Sequence, residues 1–210
     1  MPPTLAATDI TLHILKQQFG LKASQDPDFF PEWSTAPETL EDSEKQILQR
    51  VKTNYLALME DPPLLENSVK MVVLAPLLDL AGFYRPPFRI QTEASVNLEM
   101  IDEGVTIRGR IDVLVITERL WVVVIGSKRS DFAVTRAIPQ TLVYLLSNPD
   151  TEKDTFGLIS NGSEFLFLKA SHHPSPEYAP SRLFSLINPG NDLEKVLAIL
   201  KYLGQISQVP

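Results

Sequence analysis

The chain has 210 residues, of which 44% are hydrophobic and 21% are charged, and its formal net charge at pH 7 is -7. This length fits one domain with a sizeable core, because a single core can grow to roughly 250 residues. The sequence contains no cysteine, which excludes disulfides, thiolate metal sites and cysteine nucleophiles. The acidic balance argues against a protein that coats nucleic acid non-specifically, although it leaves room for a local basic cleft.

The N-terminal part differs in composition from the rest. Residues 1–40 are rich in Pro, Thr, Ser and Asp, so we expect an extension packed on or loosely attached to a single domain at 41–210. Within the extension, Ile10 to Phe19 predicts a helix or an edge strand. The chain starts without a signal-peptide pattern, and no apolar run approaches the roughly 20 residues of a membrane span. We therefore expect a cytoplasmic protein without membrane contact.

Four helices are predicted after residue 40. Ser43 and Gln46 have the spacing of a capping box, and Pro76 predicts a kink in the second helix. Gly204 follows the last apolar position and predicts the end of the final helix. The first predicted helix carries Ile47, Val51, Tyr55 and Met59 at helical spacing and is stopped by Asp61-Pro62-Pro63. The others are Leu64 to Leu80, Val134 to Ser147 and Leu193 to Leu203.

Between these helices, the spacing of the apolar residues changes from the helical period to the alternation that is typical of β-strands. Glu93 to Ile116 alternates, and a turn near Glu118 leads to an apolar run from Leu120 to Lys128, typical of a strand covered on both faces. Two further strands, Phe156 to Ser160 and Glu164 to Lys169, flank Asn161-Gly162, a hairpin signal. The pattern predicts a three-strand meander, a crossover helix and a strand pair. This is an α/β domain with a central mixed β-sheet flanked by helices.

Polar residues stand where the two central strands meet. Antiparallel pairing around Glu118 is expected to set Asp112 beside position 125 or 126, with Gly126 and Lys128 on one face. A buried Asp beside a Lys is costly unless a charged group lies between them, and a divalent cation with a phosphate meets that need. Asp112 and the backbone carbonyl of Ser127 would bind the metal, while Lys128 would stabilise charge on the phosphate or orient water.

The ordered motifs resemble a known family. Gly109-Arg110-Ile111-Asp112, followed by Trp121 to Arg129, is similar to the core of the PD-(D/E)xK superfamily, and more narrowly to the N-terminal nuclease domain of type I restriction enzyme R subunits. Gln140 and Tyr144 match the Gln-x-x-x-Tyr motif of these domains and share one helical face. Glu66 to Lys70 resembles the first core helix, where a Glu often faces the metal. The resemblance covers roughly residues 66–169.

The resemblance implies a restriction endonuclease-like core and a Mg-dependent DNA endonuclease, with Mn as a substitute metal. Gln140 and Tyr144 would align the site, and DNA would be the main partner, with other restriction or repair subunits or a homo-oligomer also compatible. The implied metal ligands are Asp112, Glu66 and the Ser127 carbonyl; the implied catalytic residues are Asp112, Lys128, Gln140 and Tyr144; and the implied DNA-binding residues are Arg110 and Arg129.

The sequence departs from this pattern at Gly126, where the family carries Glu or Asp. Glycine provides no ligand, and it costs order inside a strand. Three interpretations remain open: a natural non-catalytic relative that binds DNA or a restriction or repair partner, an inactivated variant of an active enzyme, or a substitute carboxylate such as Glu66 or Glu99. No P-loop, dinucleotide fingerprint or Gly-x-Ser-x-Gly elbow supports another enzyme class.

The same residues also have structural explanations. Asp112 can pair with Arg110, Lys128 and Arg129 can form a solvated strand end, and Gln140 with Tyr144 can be helix packing. Glu66 near a helix start is favoured by the helix dipole alone. The residues His13, His172 and His173 show no metal-ligand spacing and are interpreted as surface residues.

Overall fold

The computed structural model describes residues 4–6, 9–60, 66–89, 94–99, 106–111, 113–115, 120–124, 133–148 and 150–208. Residues 4–6, 66–67, 94–99, 106–111, 113–115 and 121–124 are described by their backbone alone. The α-helices in these ranges are α1 (Leu12–Phe19), α2 (Glu32–Thr35), α3 (Asp42–Met59), α4 (Glu66–Val69), α5 (Ala75–Leu80), α6 (Ile138–Leu146) and α7 (Asp192–Ile206). A π-helical turn (Lys70–Leu74) joins α4 to α5, and a 3-10 turn (Val134–Ala137) precedes α6. The strands are β1 (Thr4–Ala6), β2 (Lys22–Ala23), β3 (Ala94–Glu99), β4 (Thr106–Ile111), β5 (Val113–Val115), β6 (Leu120–Val124), β7 (Thr155–Ser160), β8 (Glu164–Ser171), β9 (Glu177–Pro180) and β10 (Phe184–Ser185).

The central sheet is mixed. Its strands lie in the order β2-β9-β8-β7-β6-β5, and β10 also pairs with β8. Strands β6 and β7 are parallel, and α6 forms the crossover between them, because parallel neighbours cannot be joined by a tight turn. Strands β7 and β8 form an antiparallel hairpin. The expected α/β fold with a central mixed sheet and flanking helices is therefore confirmed.

The two faces of the sheet bury different side chains, because successive residues of a strand point to opposite faces. The aromatic face is the one that packs against α3, α5 and α7; its residues on β7 and β8 are Phe156, Leu158, Phe165 and Phe167. The α6 face packs against α1 and α6; its residues on the same strands are Ile159, Leu166, Leu168 and Ala170. Both strands are buried on both sides, as their nearly continuous apolar sequences indicate.

The predicted three-strand meander is wrong. Strand β4 pairs with β1 and β3 in a separate three-stranded sheet, whereas β5 pairs with β6 in the central sheet. The alternating pattern from Glu93 to Ile116 correctly indicates extended backbone in the three segments of this range that the structure describes, β3, β4 and β5. It does not tell which neighbour each half of the run will meet, because alternation is a local property and pairing is not.

Two predicted helix signals have other roles. The capping box of α3 uses Glu41 and Glu44 rather than Ser43 and Gln46. Gly204 lies inside α7 rather than at its end, and a Cβ there would stand 2.7 Å from Cε1 of Phe83. Glycine is therefore needed for the close approach of an aromatic ring, which a helix-stop rule based on the local sequence does not consider.

The predicted kink at Pro76 takes the form of the π-helical turn. The Ala75 N–H donates to the Lys70 carbonyl, five residues back, instead of four. Proline has no N–H and its ring crowds the preceding turn, so a widened turn accommodates it without breaking the helix.

The N-terminal part packs on the central sheet. Helix α1 contacts α6, and Leu15 and Leu21 are buried in the α6-face core. Strand β2 pairs with β9 at the sheet edge, and Phe30 enters the core of the aromatic face. Among the described residues, no helix combines the length and apolar character that crossing a bilayer requires.

Candidate functional site

Three strands of the central sheet meet at one end. Val124, the last residue of β6, pairs with Ser160, the last residue of β7. Strand β5 starts at Val113, which pairs with Val123 and so lies at the same end. We call this region, defined by Val113, Val124 and Ser160, the β6–β7 end. In doubly wound α/β sheets, ligands bind beyond the carboxyl ends of the parallel strands.

The N-terminus of helix α6 points toward the β6–β7 end. The Thr155 hydroxyl at the start of β7 donates to the carbonyl of Leu145, near the end of α6, over 3.2 Å. Further along β7, Gly157 faces Thr141, whose Cγ2 would lie 3.1 Å from a Cβ at the glycine. The helix therefore runs antiparallel to β7, and Gln140 lies toward the end where β6 and β7 stop.

Gln140 and Tyr144 are joined by a hydrogen bond. The Gln140 Nε2 donates to the Tyr144 hydroxyl over 2.9 Å. The Tyr144 side chain is fully buried, whereas Gln140 is half-buried. Burial raises the pKa of the Tyr144 phenol above its ordinary range, and the bond from Gln140 opposes that rise. The phenol is therefore neutral at physiological pH, and it orients the Gln140 carboxamide.

Helix α4 reaches the β6–β7 end from the aromatic face. Gly162, in the turn after β7, has a φ of 97°, and a Cβ there would clash with the Val69 side chain. This close approach of Val69 fixes α4 beside the turn, and Glu66 begins the same helix one turn earlier. Tyr55 from α3 adds a hydrogen bond to Ser163, and burial raises the pKa of its phenol. The end is thus bordered by α6 on one face and α4 on the other.

Several predicted site residues lie outside the described residues; these are Asp112, Gly126, Ser127, Lys128 and Arg129. The backbone of Glu66 lies in α4, at the β6–β7 end. Arg110 lies on β4 opposite Ser95, and Glu99 lies on β3 opposite Thr106, so both belong to the three-stranded sheet. The structure brings together Gln140 and Tyr144 on α6, and it places α4, the helix that Glu66 begins, at the β6–β7 end.

The predicted register between the two central strands is wrong by one or two residues. Pairing Asp112 with position 125 or 126 requires Val113 opposite position 124 or 125. The structure pairs Val113 with Val123 and Val115 with Trp121, which is symmetric about position 118. A shift of one residue in this register changes the face on which every side chain of the strand lies.

A buried lysine was missed by the sequence reasoning. Lys169 of β8 is on the aromatic face, where its Nζ lies 2.7 Å from Glu32 Oε1 and 2.9 Å from Asp154 Oδ2. The rings of Phe29 and Phe156 cover it at 5.4 and 5.7 Å from their centroids. The sequence did contain a signal for this burial. Lys169 follows Phe165 and Phe167 at alternate positions of one strand, and alternate positions face the same side of the sheet, here the core.

Other ionisable groups offer little to a metal. Within the described ranges, no group of three or more His, Asp or Glu side chains is arranged to hold an ion. His172 is half-buried rather than a surface residue, and burial lowers the pKa of its imidazole. His173 is exposed and lies 3.0 Å from Glu152 Oε1. Any metal site at the β6–β7 end must therefore draw on residues beyond this described set.

Comparison with known proteins adds no relative. No family model matches the sequence, and no curated protein matches it at a significant level.

Proposed function

We propose that the chain is a nuclease-type domain of the PD-(D/E)xK kind that engages the DNA phosphodiester backbone at the β6–β7 end. The observation that carries the proposal is the hydrogen bond from Gln140 to Tyr144 on α6, in which Gln140 is the member nearer the β6–β7 end. The bond satisfies the buried Tyr144 hydroxyl, and it also holds the half-buried Gln140 carboxamide in one orientation. A fixed carboxamide can hydrogen-bond a water or phosphate with defined geometry.

The arrangement of the chain around this end supports the proposal. The sequence continues from β6 directly into Gly126, Ser127 and Lys128, and Asp112 directly precedes β5. Strands β5 and β6 have these termini at the same end. The Asp112 and Glu66 carboxylates and the Ser127 carbonyl are oxygen donors of the type that Mg²⁺ prefers.

The proposed roles follow from the chemistry of the side chains. Mg²⁺, when bound, supplies Lewis-acid polarisation of the phosphoryl group. Lys128 donates a charged hydrogen bond to a non-bridging phosphate oxygen, where negative charge develops during displacement. Gln140, held by Tyr144, orients the attacking water. Arg110 and Arg129 contact the flanking phosphates, which positions DNA without reading its sequence.

Gly126 leaves this centre one carboxylate short. A site with a single strand carboxylate binds a divalent cation weakly, because affinity rises with the number of charged oxygen ligands. We therefore propose that the present form binds DNA and cleaves it slowly or not at all. A non-catalytic module that binds DNA or a partner protein is the second candidate, and the glycine at this position is the observation that favours it.

Plasmid cleavage with Mg²⁺ and with Mn²⁺ tests the proposal. We expect Gly126→Glu to cleave at least about 100-fold faster than the unaltered protein, because it restores one metal ligand. Gly126→Gln is the matched control, since it has the same shape without the charge, and it should stay inactive. Adding Lys128→Ala to Gly126→Glu should abolish the gain.

The outcomes separate the candidates. Equal cleavage by Gly126→Glu and Gly126→Gln, or activity that survives Lys128→Ala, would contradict the nuclease centre. If no variant cleaves but all bind a DNA duplex with a salt-dependent affinity, the non-catalytic module is supported. Activity of the unaltered protein that is lost on Glu66→Gln would identify a substitute carboxylate.

A further inference from the structure

A second polar region lies at the opposite edge of the central sheet, away from β5 and β6. Helix α1, strand β2 and strand β9 enclose an open cleft of about 330 Å³. Its lining residues are Leu12, Lys16, Leu21, Lys22, Ala23, Gln25 and Tyr178. This volume is at the lower end of the range for small-molecule sites, where a few polar groups stand among apolar ones.

The two lysines of the cleft have no carboxylate partner among the residues that the structure describes. Lys16 and Lys22 form no ion pair within the described part of the chain, although the protein has a net charge of -7. Five other lysines do pair with carboxylates: Lys45, Lys153, Lys169, Lys195 and Lys201. Glu177 is the cross-strand neighbour of Lys22, but it neither pairs with it nor lines the cleft. Two unneutralised ammonium groups facing one cleft favour a ligand with concentrated negative charge.

The rest of the lining suits a planar ring. Tyr178 is half-buried beside Leu21 and Ala23, and burial alone raises the pKa of its phenol. Leu12 and Leu21 supply apolar surface, and Gln25 supplies a carboxamide that can both donate and accept. An aromatic side chain of this kind stacks on bases of any sequence.

From these features we propose that the cleft binds a nucleoside phosphate, either free or at the end of a DNA strand. The phosphate pairs with the ammonium groups of Lys16 and Lys22, and the base lies against Tyr178 with Gln25 at its polar edge. The proposal goes beyond the nuclease hypothesis and does not depend on it, since none of the cleft residues belongs to the β6–β7 end.

Calorimetric titration of the full chain tests the proposal with dTMP, thymidine, inorganic phosphate and a short oligo-dT carrying a 5′-phosphate. We expect dTMP to bind with a Kd of about 1 mM or tighter, and thymidine and phosphate each to bind at least about tenfold more weakly. Tighter binding of the oligonucleotide than of dTMP, weakened by Lys16→Ala and Lys22→Ala, identifies a strand end as the ligand, because these changes would not affect DNA bound at the β6–β7 end. Equal affinities identify the free nucleotide.

Variants locate the binding. Lys16→Ala and Lys22→Ala should each weaken dTMP binding about tenfold, the loss expected for one charged hydrogen bond. Lys45→Ala removes an exposed lysine of α3 and is the matched control, which should bind as the unaltered protein does. Tyr178→Phe keeps the ring and should retain binding, whereas Tyr178→Leu should lose it.

The proposal is overturned if dTMP fails to bind at about 10 mM or binds the two lysine variants unchanged, because millimolar affinity is the weakest that the cleft chemistry predicts. Phosphate binding as tightly as dTMP, or full binding by Tyr178→Leu, would also overturn it. Circular dichroism confirms that each variant is folded. A negative result here leaves the cleavage experiment at Gly126 unaffected, so the two proposals fail separately.

Discussion

The two faces of the central sheet are formed by the same strands but have different roles. The aromatic face buries four phenylalanines of β7, β8 and β10 against three helices; they are Phe156, Phe165, Phe167 and Phe184. The α6 face buries smaller aliphatic side chains and carries the bonded pair of Gln140 and Tyr144. The large apolar area of the first face stabilises the fold, and the second face also holds a polar pair. The difference implies that substitutions on the aromatic face act on stability, whereas those on the α6 face also act on the site.

The largest expected effect comes from adjacent residues of β8. Phe167→Ala should lower the free energy of unfolding by about 3–5 kcal/mol, and Leu168→Ala by about 2–4 kcal/mol. Phe167 loses more because it also makes an edge contact with Phe184, with ring centroids 6.0 Å apart. Urea unfolding measures both. A larger loss for Leu168→Ala would reverse the ranking of the two faces.

Lys169→Met removes the charged side chain that β8 buries on the aromatic face. Glu32 and Asp154 then lose their shared cation, and the stability should fall by about 2–4 kcal/mol. The lower half of this range applies if water reaches Asp154, whose side chain is 34% exposed. The control is Lys153→Met, whose exposed pair with Asp150 should contribute less than about 0.5 kcal/mol. Equal losses of stability in the two variants would show that the buried group of Lys169, Glu32 and Asp154 contributes no more than an exposed ion pair.

Gly157→Ala tests how closely α6 approaches the sheet. The new Cβ would lie 3.1 Å from Thr141 Cγ2, so we expect a loss of about 1–2 kcal/mol. Thr141→Ser removes that methyl group and should recover most of the loss in the double variant. If Gly157→Ala is neutral by itself, α6 packs more loosely than the distance indicates.

Tyr144→Phe should have the smallest effect at neutral pH, about 1 kcal/mol, because it removes one hydrogen bond and keeps the ring. Its pH dependence is more informative. Burial raises the pKa of the Tyr144 phenol in the folded state, so its contribution is complete below the unfolded-state pKa of about 10 and is lost as pH rises through the folded-state pKa. Urea unfolding from pH 8 to pH 11 should show a smaller alkaline loss for the variant. Superimposable pH curves would contradict this assignment.

Local signals in the sequence determined several elements of this protein. Asn161-Gly162 predicts the β7–β8 hairpin, and the structure shows why: the Asn161 Oδ1 accepts from the Glu164 N–H over 2.9 Å and Gly162 has a positive φ. Asn191, a residue type that favours the N-cap position, caps α7 by accepting from the Leu193 N–H. The i, i+4 spacing of Gln140 and Tyr144 placed them on one helical face, where they are bonded. The remaining predicted site residues, centred on Asp112 and Lys128, stay predictions that the variants at Gly126 will test.

Only the tertiary structure decided the rest. The extended run that contains β4 and β5 is divided between two sheets, and Gly204 serves the approach of Phe83 instead of ending α7. Lys169 is neutralised by Glu32, which is 137 residues away in the chain. Each of these features depends on which element, distant in the sequence, packs beside the residue in the folded protein. Propensity, capping and periodicity describe a few consecutive residues, and they carry no information about that choice.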